Sequence, residues 1–264
     1  MGTMLKGQDI VCVASSNWDA MWVNAQHLMH RLSVENRVLY LDNMGLRLPG
    51  ASAADLGKVA ARVRSWFRPP RRASATLWVV TPIVLPFHRN GFVRMLNRWL
   101  LTRRIKRVMR DMGMGRPILW SFLPTAADLV GCLGEAGVVY QCVDDYAANP
   151  GVPAETIRAQ ERRMEAFADV TIVTSPALRD AKKDRARYLL YSPNAADVPR
   201  FRDAKPALPD GLAAAAGGRR IIGYHGNVSA YKTDIPLLER VAREFRNACC
   251  CWSGRWGGAI RARR

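Results

Sequence analysis

The sequence predicts an α/β fold: a doubly wound parallel sheet, followed by the start of a second domain of the same kind. Three observations carry this. Short runs rich in Val, Ile and Leu alternate with helical patterns, as buried parallel strands do. The plainest run, Val138–Val143, stops on Asp144-Asp145-Tyr146, which is how an open parallel sheet delivers carboxylates to its ligand edge. The alternation then breaks in a Pro-, Gly- and Ala-rich stretch, 204–218, and restarts at Arg220.

In chain order, Asp9–Ser15 (DIVCVAS) is a strand with a polar loop, Ser16–Asp19, at its carboxyl end. Ala20–Leu32 is a helix and Arg37–Asp42 (RVLYLD) a second strand, so residues 9–42 form a βαβ unit without a GxGxxG loop, which argues against a dinucleotide. Pro49–Ala75 is basic and irregular around a helix at 53–66, and Leu77–Thr81 is the third strand. A basic helical region, Asn90–Met112, leads to the fourth strand, Pro117–Phe122. Thr125–Glu135 reads as helix, Val138–Val143 as the fifth strand and Pro153–Phe167 as helix. Ala168–Thr174 is the sixth strand, and Ser175–Lys183 a short helix begun by Ser-Pro. Arg187–Tyr191 is the seventh strand. Beyond the linker come a strand at Arg220–Tyr224, a glycine turn over Gly223, Gly226 and Asn227, and a helix at Asp234–Phe245. The turn is a candidate diphosphate cradle.

Composition narrows the class. With 264 residues and 49% hydrophobic content the chain has enough apolar material for a large core. Six cysteines show neither zinc nor disulfide spacing and read as free thiols. The longest apolar stretch, Leu77–Phe87, is broken by two prolines, so neither a transmembrane helix nor a signal peptide is read and a cytoplasmic location is expected.

The formal charge of +18 is concentrated. Between Leu56 and Arg116 fifteen Lys/Arg face one acid, Asp111, a local +14. Within this region Arg103, Lys106, Arg107 and Arg110 share one helical face, and Leu101, Ile105, Val108 and Met112 the other. An anionic membrane surface is the expected partner. No nucleic-acid-binding motif accompanies the charge, so nucleic acid is not expected.

Four segments in order, VVYQCVDDYAANPG, ADVTIVTSPAL, YSPNAADVPRF and RIIGYHGNVS, resemble the amino-terminal domain, hinge and first carboxyl-domain strand of bacterial GT-B glycosyltransferases of the polysaccharide-biosynthesis type. SSNWD, Gln26-His27 and RVLYLD are similar to the start of the same group. One departure is Ala195 in the hinge, where relatives commonly carry glycine. The resemblance implies two Rossmann-like domains, here 1–203 on the acceptor side and, after a linker at 204–218, the first βα unit of a donor domain at 219–245. It implies sugar transfer from a nucleotide-sugar donor to a membrane-associated glycan or lipid-linked acceptor by a protein peripheral on the inner face of the cytoplasmic membrane, with no metal or other cofactor. Asp144 or Asp145 is the candidate base. Trp18, Asp19 and His27 are candidates for acceptor binding, Asp19 and His27 also being second choices for the base. The alternative is a non-catalytic, membrane- or polyanion-binding Rossmann-like protein.

Residues 246–264 fit neither reading. Asn247–Gly258 (NACCCWSGRWGG) follows no strand or helix period. Written in GC-rich codons and regrouped by one base, its central part spells (Val/Leu/Met)-Leu-Leu-Leu-Val-Gly-Pro-Val-Gly, an apolar strand ending in Gly-Pro, similar to the LVGP segment of GT-B donor domains. A frameshift near Phe245–Ala248 is therefore expected, leaving the donor domain incomplete and the chain inactive.

Overall fold

The computed structural model describes residues 5–43, 69–82, 91–203, 207–208, 210–229 and 232–256. The helix expected at 53–66 lies outside them. The chain divides into two compact units, Met1–Ala196 and Asp197–Arg264.

The first unit is built on an eight-stranded sheet. Its strands are β1 (Asp9–Val13), β2 (Arg37–Leu41), β3 (Arg71–Arg72), β4 (Leu77–Val80), β5 (Ile118–Ser121), β6 (Gly137–Cys142), β7 (Val170–Val173) and β8 (Leu189–Tyr191), in the spatial order β3-β4-β2-β1-β5-β6-β7-β8. All neighbours pair in parallel except β3 with β4. The seven parallel strands are those the apolar runs predict; β3 is an antiparallel pair of residues added at the edge.

Alternation along β1 explains the two cores. Val11 and Val13 point to one face, where they meet Leu39, Leu119 and Tyr140. Ile10, Cys12 and Ala14 point to the other, with Val38, Tyr40 and Phe122. All five residues of β1 are buried, as expected of a parallel strand covered on both sides. Helix α1 (Asn24–Leu32) covers the Tyr40 face through Ala25 and Met29. Helices α2 (Gly91–Asp111) and α3 (Ala154–Phe167) cover the other, α2 through Leu101, Ile105, Val108 and Met109 and α3 through Ile157 and Met164. Helix α4 (Pro176–Lys182) is capped by Ser175, whose Oγ accepts the Leu178 N–H at 3.2 Å. Where a helix was expected at 125–135, only a 3-10 turn forms, Pro124–Asp128.

The second unit holds α5 (Val198–Arg202), α6 (Asp210–Ala216), α7 (Ile235–Glu244) and two parallel strands, β9 (Arg220–Val228) and β10 (Ala248–Trp256). Two expectations are corrected here. The stretch read as linker contains α6, because four consecutive alanines favour helix more than the flanking Pro and Gly oppose it. The stretch read as patternless is β10, paired with β9 from Ala248↔Arg220 to Trp256↔Val228. Backbone pairing needs no apolar period, and the glycines allow close approach: Gly254 has φ 131° and lies against Gly226, where a Cβ would overlap the Gly226 carbonyl. The six cysteines are free, Cys12 and Cys142 buried and Cys132 and Cys249–Cys251 half-buried.

Candidate active site

Strand order locates the site. From β1 the sheet grows one way through β2 and β4 and the other way through β5, β6, β7 and β8, so the direction reverses between β1 and β5. Ligands of open α/β sheets bind outside the carboxyl ends of the strands at such a switch point. The two central loops leave side by side: Ala14 N–H bonds the Leu41 carbonyl and Phe122 N–H the Val13 carbonyl. One strand away on either side stand carboxylates, Asp42 after β2 and Asp144-Asp145 after β6.

The two aspartates, both exposed, stand on a short turn. Asp145 Oδ1 accepts the Ala147 N–H at 3.2 Å, capping the short 3-10 turn Tyr146–Ala148. Asp144 is exposed beside it, and its backbone carbonyl accepts the Cys142 thiol at 3.4 Å. Burial pushes that thiol up to about 12, with the Glu161 carboxylate adding to the effect and Lys182 opposing it. Cys142 is thus a donor holding the loop, not a nucleophile.

Beneath the loop lies a buried ionic cluster that the sequence reading missed. Tyr140 Oη donates to Glu161 at 2.8 Å, and Lys182 Nζ bridges Glu161 and Glu165, each at 2.8 Å. Arg185 meets the second Glu165 oxygen at 2.6 Å. Burial would raise the Glu165 carboxyl, but Arg185 and Lys182 outweigh it and hold it below its usual range. The cluster ties α3 and α4 to the underside of β6, the strand that carries the aspartates.

On the other side of the switch point, Trp18, Asp19 and His27 share one loop and the start of α1 but do different things. Trp18 is 7% exposed, its ring centroid 5.1 Å from Trp22 and 5.0 Å from Tyr40, so it is a wall of the core. Its backbone N–H donates to Asp42 Oδ1 at 2.8 Å, and the Thr81 hydroxyl reaches Oδ2 at 3.3 Å. Burial raises the Asp42 carboxyl against those two bonds. Asp19 is exposed and bonds Arg71 through both oxygens at 2.8 Å. His27 sits edge-on to Trp22 at 5.2 Å, with His30 on the same ring at 5.3 Å. The accessible aromatic of this loop is Trp22, 38% exposed. Asp42 carries the same signal as Asp144, an acid closing an apolar run; Trp22 carries none.

A chain of amides crosses the same region: Trp120 Nε1 donates to Gln141 at 3.0 Å, Gln141 to Asn24 at 3.1 Å, and Asn24 to Asn194 at 2.6 Å. It fixes the Pro193-Asn194 motif to β5, β6 and the start of α1.

In the second unit, Gly223, Gly226 and Asn227 lie within β9 and not in a turn, because pairing with β10 extends the strand to Val228. The turn comes later, where the Lys232 and Thr233 N–H groups bond the Ser229 carbonyl, and Asp234 caps α7 by accepting the Leu237 N–H at 3.0 Å. Arg103, Lys106, Arg107 and Arg110 are exposed on α2. Among the described residues no group of three or more His, Cys, Asp and Glu is placed to hold a metal, and no helix is long and apolar enough to cross a membrane.

No protein-family model matches this sequence, and no curated protein matches it. Solved structures do. The chain is similar to a sucrose-phosphate synthase from Thermosynechococcus elongatus (TM-score 0.54, 11% identity, 94% of this chain and 70% of that one). It is similar to an α,α-trehalose 6-phosphate synthase from Burkholderia multivorans (0.55, 12%, 95% and 65%). The catalytic domain of starch synthase IV from Arabidopsis thaliana, bound to ADP and acarbose, gives 0.56, 10%, 95% and 69%. These are GT-B glycosyltransferases, and at such identity the likeness shows the fold: a Rossmann-like GT-B architecture. The chain spans 65–70% of the length of these neighbours.

Proposed function

We propose that this GT-B chain derives from a glycosyltransferase that moves a sugar from a nucleotide-sugar donor to a membrane-associated glycan or lipid-linked acceptor in polysaccharide biosynthesis. The observation that carries the reading is the exposed Asp144, held at the carboxyl edge beside the switch point by Cys142 and by the turn that Asp145 caps. An acceptor hydroxyl must lose a proton as it attacks the anomeric carbon, and an exposed carboxylate on a fixed loop suits that base. Asp144 or Asp145 is the base, and Asp145 also caps the turn that fixes the loop. Asp42 and Trp22 then border the acceptor side. The donor's departing diphosphate needs N–H groups to stabilise it, for which Gly223, Gly226 and Asn227 are the candidates. The chemistry calls for no metal.

We further propose that a frameshift near Phe245–Ala248 interrupts the donor-domain sequence. Two features support this. The regrouped reading supplies an apolar strand in the place that β10 occupies, and the present β10 carries half-buried Cys249–Cys251 there. Sequencing the locus tests the shift: absence of donor-domain codons in the other frame ends it. The frame-restored protein tests the lineage: it is expected to bind and turn over a UDP- or GDP-sugar, with Asp144→Asn or Asp145→Asn lowering kcat by at least about a hundredfold and leaving donor affinity unchanged. No nucleotide-sugar binding by the restored chain would favour a non-catalytic Rossmann-like protein.

A further inference from the structure

Helix α2 keeps apolar residues on both of its faces. Leu101, Ile105, Val108 and Met109 enter the core, as the period predicts. The outward face is unusual: Phe92 is 67% exposed, Met95 60% and Trp99 55%. At about 100° per residue, Phe92, Met95, Trp99, Arg103, Lys106 and Arg110 fall within one arc of about 80°. Three large apolar residues come first along this stripe and three cations follow.

The stripe has a direction relative to the sheet. Arg94, in the first turns of α2, bonds Asp128 at 2.8 Å in the 3-10 turn that follows the carboxyl end of β5. The apolar end of α2 therefore lies toward the edge that carries Asp144, and the cationic end runs back toward the amino end of β5. Beside the stripe, between α2 and the turn at Gly131–Leu133, runs an open groove of about 980 Å³. Its lining includes Trp99, Arg103, Lys106, Arg110 and Leu133 and contains no acid.

We infer that this surface is the site of attachment to a bilayer containing anionic phospholipid, with Phe92, Met95 and Trp99 inserted among the acyl chains and Arg103, Lys106 and Arg110 on headgroup phosphates in the groove. Charge alone would suit any polyanion; the exposed Phe-Met-Trp series on the same arc favours a lipid surface, where an amphipathic helix buries its apolar residues at the headgroup–acyl boundary and sets its cations on the phosphates. Trp99 stands at the join, with the Arg103 guanidinium 5.5 Å from its ring centroid, the amphipathic placement that a membrane interface favours. The inference sharpens the membrane-associated part of the reading above and does not depend on glycosyl transfer.

The test is sedimentation of the 264-residue chain with phosphatidylcholine vesicles, with and without phosphatidylglycerol, at low and high salt. The native chain is expected to bind the anionic vesicles and to keep part of that binding at high salt. Replacing Arg103, Lys106 and Arg110 by Gln is expected to weaken binding about fivefold per cation removed. Met95→Ser with Trp99→Ser is expected to abolish the salt-resistant part and to remove the quenching of tryptophan fluorescence by brominated lipid. Circular dichroism of both variants guards against loss of fold; should either unfold, brominated-lipid quenching of the native chain decides by itself. Equal binding to neutral and anionic vesicles, binding untouched by both variants, or binding to single-stranded RNA but not to vesicles would overturn the inference. Nucleotide-sugar binding by the frame-restored chain is a separate measurement, so either reading can fail while the other stands.

Discussion

In the Met1–Ala196 unit all five residues of β1 are buried and helices cover both faces of the sheet; in the Asp197–Arg264 unit the amphipathic α7 contributes no buried residue at all. Both units begin from the same strand-helix-strand arithmetic. A parallel sheet, however, becomes stable only when enough crossovers accumulate to cover both of its faces. The first unit has seven parallel strands to share that cover, whereas the second has one strand pair, and the described residues it buries are Ala216, Val228 and Ser229. Stability should therefore be concentrated in the first unit, and the contrast can be attacked at several points.

The strongest attack is on the ionic cluster under β6. Lys182→Met leaves Glu165, whose side chain is 1% exposed, with Arg185 alone, and is expected to cost about 3–5 kcal/mol in urea unfolding, since removing one partner strands a buried charge. Pairing it with Glu165→Gln should recover part of the loss; no recovery would mean that Lys182 acts through packing of its stem. Next comes a matched pair of leucines. Leu119→Ala in β5, fully buried, is expected to cost about 2–5 kcal/mol, while Leu237→Ala in α7, 44% exposed, should fall within about 0.5 kcal/mol. Equal losses would show that α7 has a covering partner in solution and would break the contrast.

A further effect is electrostatic and specific to acid. Burial would raise the Asp128 carboxyl, but bonds from Arg94 at 2.8 Å and Arg163 at 2.7 Å hold it below its usual range. A carboxylate depressed in the folded state contributes stability that is present above the unfolded pKa and is lost as pH falls through the folded value. Asp128→Asn should therefore cost about 1 kcal/mol at pH 7, the partners being partly exposed, and nothing once the acid limb is passed. A native-like acid slope in the variant would remove Asp128 from the acid response.

The first unit was legible because its strands are bounded apolar runs and its helices periodic ones: DIVCV, RVLYL and the Leu101–Ile105–Val108 face stand in the structure as the pattern predicts. Arg71–Arg72 was not, since two residues carry no period. Pro124–Asp128 forms a 3-10 turn where Ala-rich sequence suggested helix, with its end taken up by the Cys132 N–H bonding the Leu129 carbonyl in the next turn. At the site, Asp144 and Asp145 could be found because an acid closing an apolar run is a local signal. The bond from Trp18 to Asp42, the Gln141–Asn24–Asn194 chain and the Lys182 cluster join residues 17–170 positions apart. Their existence depends on strand order, which no window of sequence contains.

Three adjacent thiols on β10 give the chain an internal clock. Cys249, Cys250 and Cys251 are half-buried in the thinly covered unit, while Cys12 and Cys142 lie inside the first. An alkylating reagent followed by mass spectrometry would therefore tag the two units at separate rates, and the interval between the third modification on β10 and the first on β1 would time how long one unit outlives the other in a single, otherwise unmodified molecule.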